Sequence, residues 1–328
     1  MACAARSSAI DPGLTGRFAA GLTALWPESS ADRSARLALA VSGGPDSLAL
    51  LLLAAAALPG RIAAATVDHR LRPESAEEAA VVAALCADLG IPHETLTVTV
   101  GEGNVSAIAR AERYAALARW MERCDLAALA TAHHADDQAE TLLLRLNRAS
   151  GVAGLAGVRA RGRVPGTALV LVRPLLEWRR AELAGIVTGS GLAAAQDPSN
   201  ADPKYDRARL RAALAGADWL DVPAFAASAG HLAEADAALD WATAREWREC
   251  VTAGALGSYV YRPSAPRAIA LRVIALLVTK LDGTEPRGSA VARLFDALLA
   301  GQPASLGALV ARPLPEGWSF AKAPARRV

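Results

Sequence analysis

Short apolar runs alternate with longer helix-like segments through the first half of the chain. Strand-length apolar or alternating runs lie at residues 37–41, 61–67, 93–100 and 126–132. Helical periodicity follows them at residues 48–58, 73–89, 105–123 and 135–147. A strand, a helix and a second strand in succession form a right-handed parallel crossover. The order therefore predicts an α/β fold with a doubly wound, mainly parallel, Rossmann-like sheet.

The second half of the chain shows a different pattern. Helical periodicity covers residues 223–251, 265–281 and 289–300, and a closing hairpin fits residues 306–310 and 318–321. At 328 residues the chain has room for two domains of about 150 residues each. We therefore expect one domain at residues 1–216 and a smaller, mostly α-helical domain at residues 217–328.

Polar clusters follow three of the predicted strands. They lie at residues 42–47, 68–72 and 131–140. Ligands of open parallel sheets bind outside the carboxyl ends of the strands, and those ends share one edge of the sheet. We therefore expect the three clusters to meet at one rim, although they are far apart in the sequence.

The first cluster joins a strand directly to a helix. It consists of Ser42, Gly43, Gly44, Pro45, Asp46 and Ser47. Pro45 suits the first helical position, Ser47 can accept a backbone N–H bond, and the glycines let a ligand approach the backbone. Such a loop presents unpaired amides to a phosphate or pyrophosphate. It has neither the lysine of the Walker pattern nor the G-x-G-x-x-G fingerprint, and a plain strand-to-helix turn is the alternative.

The third cluster gathers carboxylates at the start of a helix. Asp136 and Asp137 precede Glu140 by four and three residues, so the three share a helix face. Like charges this close repel unless a cation lies among them, and we expect a magnesium ion, an ammonium group or both. A zinc site is disfavoured because His133 and His134 are adjacent and cannot both point at one metal from i, i+4 positions.

The distribution of charge changes the picture more than its sum. The formal net charge of +2 neither requires nor excludes a nucleic acid partner. Arginines crowd one third of the sequence and form a candidate phosphate-facing surface, although ordinary solvated helix charges are the alternative. They are Arg159, Arg161, Arg163, Arg173, Arg179, Arg180, Arg207, Arg209 and Arg211.

The four cysteines are too scattered for a zinc site or a disulfide framework, since they lie at positions 3, 86, 124 and 250. The chain also lacks an apolar run with the length of a signal peptide core or a membrane span. We therefore expect reduced thiols, no membrane contact and a cytoplasmic location.

The motifs at the rim carry a family resemblance. Ser-Gly-Gly-x-Asp-Ser after a strand resembles the pyrophosphate loop of the N-type ATP pyrophosphatases, the PP-loop family, which cleaves ATP to AMP and pyrophosphate. Two further motifs make the chain similar to the tRNA(Ile)-lysidine synthetases, namely Asp68-His69-x-Leu71-Arg72 and His133-x-x-Asp136-Asp137-Gln138-x-Glu140-Thr141. Matching segments also lie at residues 109–114, 151–158, 173–176 and 197–200, so the resemblance covers roughly residues 35–215.

The resemblance implies a ligase that joins L-lysine to C2 of the wobble cytidine of an isoleucine tRNA with a CAU anticodon. The implied route passes through an adenylated tRNA, uses ATP and Mg²⁺, and releases AMP and pyrophosphate. Residues 1–216 would be the catalytic domain and residues 217–328 a tRNA-binding domain, and a homodimer is left open. The alternatives are a tRNA thiolation enzyme, disfavoured because no paired cysteines flank the rim, and a non-catalytic tRNA- or nucleotide-binding module. Three carboxylates beside a polyanion disfavour the latter.

Site roles follow from the same resemblance. The ATP-binding set is Ser42, Gly43, Gly44, Pro45, Asp46, Ser47 and Asp68. The catalytic set is Asp46, His133, Asp137 and Glu140. The substrate-binding set is Arg110, Arg113, Asp136, Arg207 and Arg211. Asp46 and Asp136 are the candidate magnesium ligands.

Three of these residues are candidates for proton transfer. Asp137 or Glu140 would orient the ammonium group of lysine and take its proton as the amine attacks. His133 is a possible acceptor, with a structural hydrogen bond at the strand end as the alternative.

Other assignments have simpler alternatives. Asp68 would hold ribose or metal, or cap a helix. Arg110 and Arg113 would contact pyrophosphate or tRNA, although exposed helix charges need no function. The glycine-rich residues 151–157 predict a mobile loop near the substrate. Ala208 stands where the family usually has Asn, so that side chain is given no role.

Overall fold

The computed structural model describes residues 10–70, 75–99, 105–195, 202–214 and 216–323. The chain divides into two compact units, Met1–Ala233 and Glu234–Val328. The division falls inside the helix Val222–Cys250, later than the boundary expected after residue 216. The assignment of a separate function to each part stays a prediction.

A six-stranded sheet forms the centre of the first unit. Its strands are β1 (Leu37–Ala40), β2 (Ile62–Asp68), β3 (His93–Thr97), β4 (Ala128–Ala130), β5 (Arg161–Arg163) and β6 (Val170–Val172). They are ordered β3-β2-β1-β4-β6-β5, and β5 pairs antiparallel to β6 while the other pairs are parallel. The predicted doubly wound, mainly parallel sheet is confirmed, and its antiparallel edge is an addition that short strands did not reveal.

Helices cover both faces of this sheet. They are α1 (Pro12–Leu25), α2 (Glu28–Ala31), α3 (Pro45–Ala57), α4 (Ser75–Asp88), α5 (Val105–Arg123), α6 (Ala135–Leu146), α7 (Val152–Leu155), α8 (Arg180–Gly189), α9 (Asp206–Leu214) and the start of α10 (Val222–Cys250). Helices α1, α3, α4 and α8 share one hydrophobic cluster, and α5 forms the other. Strand alternation separates the clusters, since Leu37 and Leu39 join the first and Ala38 the second.

Helix α3 anchors the centre of the unit. Its residues 48–54 are no more than 2% exposed, and a helix that is apolar all round belongs in the interior. The preceding strand, β1, lies between β2 and β4. The loop of residues 42–47 therefore opens at the middle of the rim.

The second unit combines helices with a sheet. It contains the end of α10, then α11 (Arg267–Asp282), α12 (Gly288–Leu299) and the strands β7 (Val251–Ala253), β8 (Tyr259–Tyr261), β9 (Ala304–Leu306), β10 (Leu309–Leu314) and β11 (Gly317–Lys322). The sheet has the order β7-β8-β11-β10-β9, and Tyr261, Trp318 and Phe320 pack with α11 and α12 in one core. The expectation of a mostly helical domain understated this sheet. Only the β10–β11 hairpin was predicted, because strands of three residues are too short to show alternation.

Within the described ranges, no helix has both the length and the apolarity that crossing a membrane requires. The described cysteines, Cys86, Cys124 and Cys250, are free thiols. Burial raises the pKa of Cys86 to about 12, so this side chain stays protonated at neutral pH.

Candidate active site

The loop of residues 42–47 is closed by its own serines. Helix α3 begins at Pro45, and the preceding Gly44 makes no side-chain cap. Ser47 Oγ accepts a hydrogen bond from the Ser42 amide at 3.1 Å and donates one to the Gly44 carbonyl at 2.9 Å. Because Ser47 closes the loop instead of capping the helix, the first amides of α3 remain available at the positive end of the helix dipole. This arrangement suits a phosphate or pyrophosphate.

Gly43 determines the path of this loop. Its φ of 84° lies in the left-handed region, which glycine adopts without strain. Its carbonyl accepts a hydrogen bond from the Ala195 amide at 3.0 Å. A Cβ atom at this position would lie 3.4 Å from Val82 Cγ2. The backbone conformation therefore favours glycine here, whereas 3.4 Å is an ordinary van der Waals distance and would not exclude a Cβ atom.

We define the acidic region as Asp46, Asp136, Asp137 and Glu140, with the buried His134 among them. His134 Nε2 lies 3.4 Å from Asp46 Oδ2 and 3.6 Å from Asp137 Oδ2. The ring also caps α6, since its Nδ1 faces the Asp137 amide while Asp137 Oδ2 accepts from the His134 amide at 3.2 Å. Burial favours the neutral imidazole, but Asp46 and Asp137 outweigh it and raise the pKa of His134.

Three arginines compensate two of these carboxylates. Asp136 accepts a hydrogen bond from the Arg180 amide at 2.8 Å, and the Arg179 guanidinium lies 3.4 Å from both of its oxygens. Burial would raise the pKa of Asp136, but these hydrogen bonds outweigh it and lower that pKa. Glu140, only 5% exposed, forms a bidentate pair with Arg211 at 2.6 and 2.9 Å. The chain itself thus supplies cations that the sequence argument had expected from ligands.

These pairs change the interpretation of the predicted magnesium ligands. Both oxygens of Asp136 are engaged by arginine donors, which disfavours Asp136 as a metal ligand. Asp46 differs, because its Oδ1 is buried and has no hydrogen-bond partner in the described structure. Among the described residues, no group of three or more His, Cys, Asp or Glu side chains is arranged to hold a metal. Asp46 fits a Mg²⁺ ion that takes one carboxylate from the protein and its other ligands from water and phosphate.

A cavity of about 260 Å³ adjoins the paired carboxylates. Its charged wall consists of Asp136, Glu140, Arg179, Arg180 and Arg211, and its apolar wall of Ala139, Leu214, Ala217, Leu220 and Val222. The volume is slightly below that of most ligand sites, which run from about 300 to 1,000 Å³. Charges of both signs beside an aliphatic wall suit a small zwitterion with an apolar stem better than a nucleotide.

We define the basic region as Arg110, Arg113, Arg173 and Arg207, which surround Tyr114 and His133. The guanidinium carbons of Arg110 and Arg113 lie 5.2 and 5.1 Å from the centroid of the Tyr114 ring. Arg173 is only 7% exposed, and its Nη1 donates to the Arg159 carbonyl at 2.6 Å. Burial lowers the pKa of both Arg113 and Arg173, and neighbouring arginines lower it further.

His133 belongs electrostatically to the basic region. Its Nδ1 lies 3.0 Å from Thr131 Oγ1. Burial, followed by the positive charges of Arg173 and Arg113, lowers the pKa of His133 to about 3. An imidazole with this pKa is neutral at pH 7 and is a weak base. The geometry therefore favours the structural hydrogen bond over the proton acceptor role that the sequence had suggested.

Asp68 lies at the end of β2 and holds the backbone that follows. Its Oδ1 accepts hydrogen bonds from the Arg70 amide at 2.8 Å and from Ser75 Oγ at 2.7 Å. These bonds, the one from Ser75 first, lower the pKa of this buried carboxyl. Neither donor is a backbone N–H of helix α4, so the ribose, metal and capping roles of Asp68 all stay predictions. Residues 71–74 and 196–201 lie outside the described residues; they include the last two residues of the motif at 68–72 and the whole segment 197–200.

The predicted tRNA-contacting arginines separate in the structure. Arg211 pairs with Glu140 and lines the cavity, contacts that disfavour it as part of an open tRNA surface. Arg207 is exposed, and its Nη2 lies 3.3 Å from Thr141 Oγ1. Helix α9 carries both arginines, four residues apart and so on the same face, and they differ in what they contact.

Sequence reasoning missed the role of His134. It named Arg173, Arg179 and Arg180 only among the crowded arginines, and Arg173 also in a family segment, without their roles. The one available signal for His134 was its position just before the acidic helix, where a side chain can cap. The arginine pairings had no local signal, because they depend on contacts made across the fold.

Gln138 fixes the glycine-rich segment that was expected to be mobile. Its side chain donates to the Val158 carbonyl at 2.8 Å and accepts from the Val158 amide at 2.7 Å. Gly157 has a φ of 61°, and a Cβ there would lie 2.5 Å from Gln138 Oε1. The segment also contains the short helix α7. The segment is thus held at its C-terminal end by Gln138, and its mobility near the substrate stays a prediction.

Comparison with known proteins places these features in a family. A model of the PP-loop domain matches residues 16–217. A tRNA(Ile)-lysidine synthase of Novosphingobium aromaticivorans is 49% identical over 318 residues, covering 96% of this chain and 95% of the relative. A tRNA(Ile)-lysidine synthase of Zymomonas mobilis subsp. mobilis is 40% identical over 305 residues, covering 91% and 92%.

Solved structures show a similar fold at low sequence identity. A U34-tRNA thiolase from Methanococcus maripaludis superposes with a TM-score of 0.54 over 67% of this chain and 80% of its own, at 15% identity. At that identity the likeness concerns the fold alone. The sequence matches span nearly the whole chain and include the rim motifs, so they carry the family assignment.

Proposed function

The chain belongs to the tRNA(Ile)-lysidine synthase family of PP-loop proteins, and from this premise we propose that it is an ATP-dependent ligase that forms lysidine in an isoleucine tRNA. In this reaction the ε-amine of L-lysine becomes bonded to C2 of the wobble cytidine of a CAU anticodon. ATP is cleaved to AMP and pyrophosphate. The observation that carries the proposal is a cavity suited to an amino acid, joined through His134 to a loop suited to pyrophosphate.

The first step is adenylation of the cytidine. Its O2 attacks the α-phosphorus of ATP, a new O–P bond forms, and pyrophosphate leaves. Negative charge builds on the leaving pyrophosphate, and the amides of residues 42–47 are placed to stabilise it. This step converts the carbonyl oxygen into a good leaving group, which a cytidine does not otherwise have.

We assign Asp46 to magnesium. Its unpartnered Oδ1 and its place in the pyrophosphate loop support this role. When bound, Mg²⁺ would neutralise phosphate charge during adenylation. Asp136 is better assigned to organising Arg179 and Arg180 at the cavity wall.

The second substrate, lysine, is assigned to the cavity. The arginines of the charged wall suit the α-carboxylate, and the carboxylates suit an ammonium group. Leu214, Leu220 and Val222 offer aliphatic surface to a four-carbon stem. The opposing charges are paired with each other in the structure, so a zwitterionic ligand can exchange one partner for another without leaving a charge bare.

In the second step the amine nitrogen attacks C2, AMP leaves with O2, and the amine loses a proton. Asp137 is our preferred acceptor for that proton. Among the residues that the structure describes, the ion-pair neighbour of its Oδ1 is Arg211 Nη2 at 3.7 Å, whereas both oxygens of Glu140 are held by Arg211. Glu140 is then assigned to positioning the ammonium group of lysine and the guanidinium of Arg211.

The tRNA is assigned to the exposed arginines around the rim and to the second unit. Arg110 and Arg207 are exposed beside the site, as a phosphate-contacting surface requires. Specific recognition of the isoleucine tRNA by residues 217–328 is part of the same proposal. A tRNA substrate also accords with a cytoplasmic location, which stays a prediction together with a homodimer.

The experiment that tests this function follows each half-reaction alone. Wild-type protein is mixed in excess with ATP and a CAU-anticodon tRNA transcript, and adenylated tRNA is measured before and after a lysine chase. We expect tRNA-dependent pyrophosphate release, followed by lysine-dependent release of AMP and a mass gain matching lysine minus water. A matched transcript with uridine at the wobble position is the control and should yield neither product.

The alternatives give different outcomes. A thiolation enzyme on this fold would release pyrophosphate with tRNA but would add sulfur from a sulfide donor and ignore lysine. A non-catalytic module would bind tRNA or nucleotide without consuming ATP. Either outcome would replace the proposed function.

A further inference from the structure

The basic region carries positive charge without an acidic partner. No carboxylate of the described residues forms an ion pair with Arg110, Arg113 or Arg173. The Nε atoms of Arg113 and Arg173 are buried and make no hydrogen bond within the described structure. Arg173 is more than nine-tenths buried. Desolvated guanidinium groups without anionic partners are costly, so this cluster is built to receive an anion.

The two histidines beside these arginines supply no negative charge. His133 is held neutral by burial and by the arginines themselves. His69 Nδ1 is buried without a hydrogen-bond partner in the described residues, and Arg113 helps to lower the pKa of this ring. Burial raises the pKa of the Tyr114 hydroxyl, but Arg113, Arg110 and Arg173 outweigh it and lower that pKa. The Tyr114 ring lies under Arg110 and Arg113, where it keeps both guanidinium planes in place.

The region lies on a different side of the rim from the pyrophosphate loop. Tyr114 belongs to the core cluster of α5, whereas α3, which the loop precedes, belongs to the cluster on the opposite sheet face. The adjacent residues His133 and His134 follow β4 and lie between these two sides. His134 contacts Asp46 of the loop, while burial and the arginines lower the pKa of His133. The helix amides at the loop already serve the ATP phosphates. A second phosphate bound beside the reacting carbonyl therefore needs positive charge from another part of the site.

We propose that the basic region binds a backbone phosphate of the RNA next to the target cytidine. This inference rests on the proposed function, since it takes the substrate to be tRNA. A nucleotide whose base enters the rim must bring its flanking phosphates along, and the buried Arg173 beside the half-buried Arg113 can hold such a group at a fixed place. Exposed Arg110 and Arg207 extend the positive charge from these two arginines toward solvent. Arg113 and Arg173 thus position the cytidine for attack on ATP.

The test combines a charge change in the protein with one in the RNA. Anticodon stem-loop RNAs are prepared with a neutral methylphosphonate in place of the phosphate on the 5′ or the 3′ side of the wobble cytidine. Binding to wild type, Arg113→Gln and Arg110→Gln is measured over a range of salt. Arg110 is exposed, so its variant remains informative where Arg113→Gln fails to fold. Arg119→Gln is the matched control, because it removes an exposed charge from the same helix.

We expect Arg113→Gln to weaken binding of the unmodified RNA by about 10- to 100-fold, the scale of a charged hydrogen bond. One methylphosphonate should weaken wild type by a similar factor and affect Arg113→Gln little. The slope of log affinity against log salt should fall by about one. Arg119→Gln should bind as wild type does. If both methylphosphonates weaken wild type and Arg113→Gln alike, the proposal is wrong.

A separate arm distinguishes the RNA phosphate from those of ATP. Affinity for a non-hydrolysable ATP analogue is measured without RNA and should be unchanged in Arg113→Gln and Arg110→Gln. A loss of ATP affinity with unchanged RNA affinity would assign the basic region to the nucleotide and overturn the proposal. Because every readout is binding, a wild-type protein that binds RNA but forms no lysidine would refute the proposed function and leave this inference standing.

Discussion

His133 and His134 are adjacent in the chain and lie in opposite electrostatic surroundings. Carboxylates around His134 raise its pKa, whereas burial and arginines around His133 lower its pKa to about 3. The two residues leave the end of β4 toward different sides of the rim. A single strand end thus divides a region suited to cations and ammonium groups from a region suited to phosphates.

The two regions also differ in how their charge is balanced. In the acidic region, Asp136 and Glu140 have arginine partners within the chain. In the basic region, the arginines have no carboxylate partner among the described residues. The acidic region can therefore stay folded and charged without ligand, while the basic region gains most from binding one. The comparison teaches that a cluster of charge does not by itself identify a binding site. Charged groups that lack an oppositely charged partner are the better sign.

Of the changes considered, removal of the Asp46 carboxylate should have the largest effect on the activity of the acidic region. Asp46→Asn keeps the side-chain volume but removes the charge that faces His134 and the proposed magnesium ion. We expect adenylation to slow by about 10³-fold, at the upper end for a lost electrostatic contact in an active site. Single-turnover pyrophosphate release measures this rate.

The control for this change is Asp88→Asn, at the exposed end of α4, which should adenylate at the wild-type rate. Affinity of Asp46→Asn for tRNA should also be preserved, since the RNA contacts lie in the other region. An undiminished adenylation rate in Asp46→Asn would contradict the assignment of the loop.

A change at Glu140 should separate the two half-reactions. Glu140→Gln keeps the shape but cannot balance the lysine ammonium or Arg211. We expect adenylation to remain measurable, while lysine transfer from preformed adenylate slows by about 10²-fold or the KM for lysine rises. The lysine chase described above reports on transfer alone. The reverse pattern, with adenylation lost and transfer normal, would assign Glu140 to ATP and metal.

The same pair should affect stability. Arg211→Gln leaves a buried carboxylate without its bidentate partner, and we expect a loss of about 1–3 kcal/mol in the free energy of unfolding. Urea unfolding at pH 7 measures it. The double variant Glu140→Gln, Arg211→Gln should lose less than the sum of the single changes, because neither charge is then left alone. Additive losses would show that the two side chains do not interact in solution.

The smallest expected effect concerns His133 and pH. The folded protein keeps His133 neutral down to a pKa of about 3, while the unfolded chain takes up a proton near its ordinary pKa of 6.5. This group therefore favours folding above pH 6.5 and progressively opposes it as pH falls toward 3. His133→Gln should remove that loss, by on the order of 1 kcal/mol between pH 6.5 and 5 after solvent screening is considered.

Urea midpoints of the variant and wild type across this range provide the measurement. As pH falls, the variant should lose less stability than wild type, so its urea midpoint should rise relative to that of wild type. A difference that stays constant with pH would mean that His133 titrates normally and that the basic region does not act on it.

The local parts of the fold could be predicted from the sequence. The path from β1 through residues 42–47 into α3 depends on glycines, a proline and an apolar run that are contiguous, and the structure confirms it. The start of α6, with its acidic first turn, was predicted for the same reason. Parallel strand order then brought the clusters to one rim.

The pairing of charges could not be predicted. Arg211 and Glu140 are 71 residues apart, and Arg179 and Asp136 are 43 apart, so no local spacing links them. The sequence suggested that Asp136, Asp137 and Glu140 need a cation, and arginines of the chain already meet that need at Asp136 and Glu140. In the second unit, strands such as β7 and β9 have three residues each and no readable alternation.

Gln138 stands between Asp137 and Ala139 on α6, and its two hydrogen bonds fix Val158. The next carbonyl along the chain, that of Arg159, receives the Arg173 guanidinium. One amide side chain is therefore a common support for a carboxylate of one region and an arginine of the other. Loss of this side chain would weaken lysine transfer and RNA binding together. A joint defect of that kind indicates a lost structural support and not a lost catalytic group.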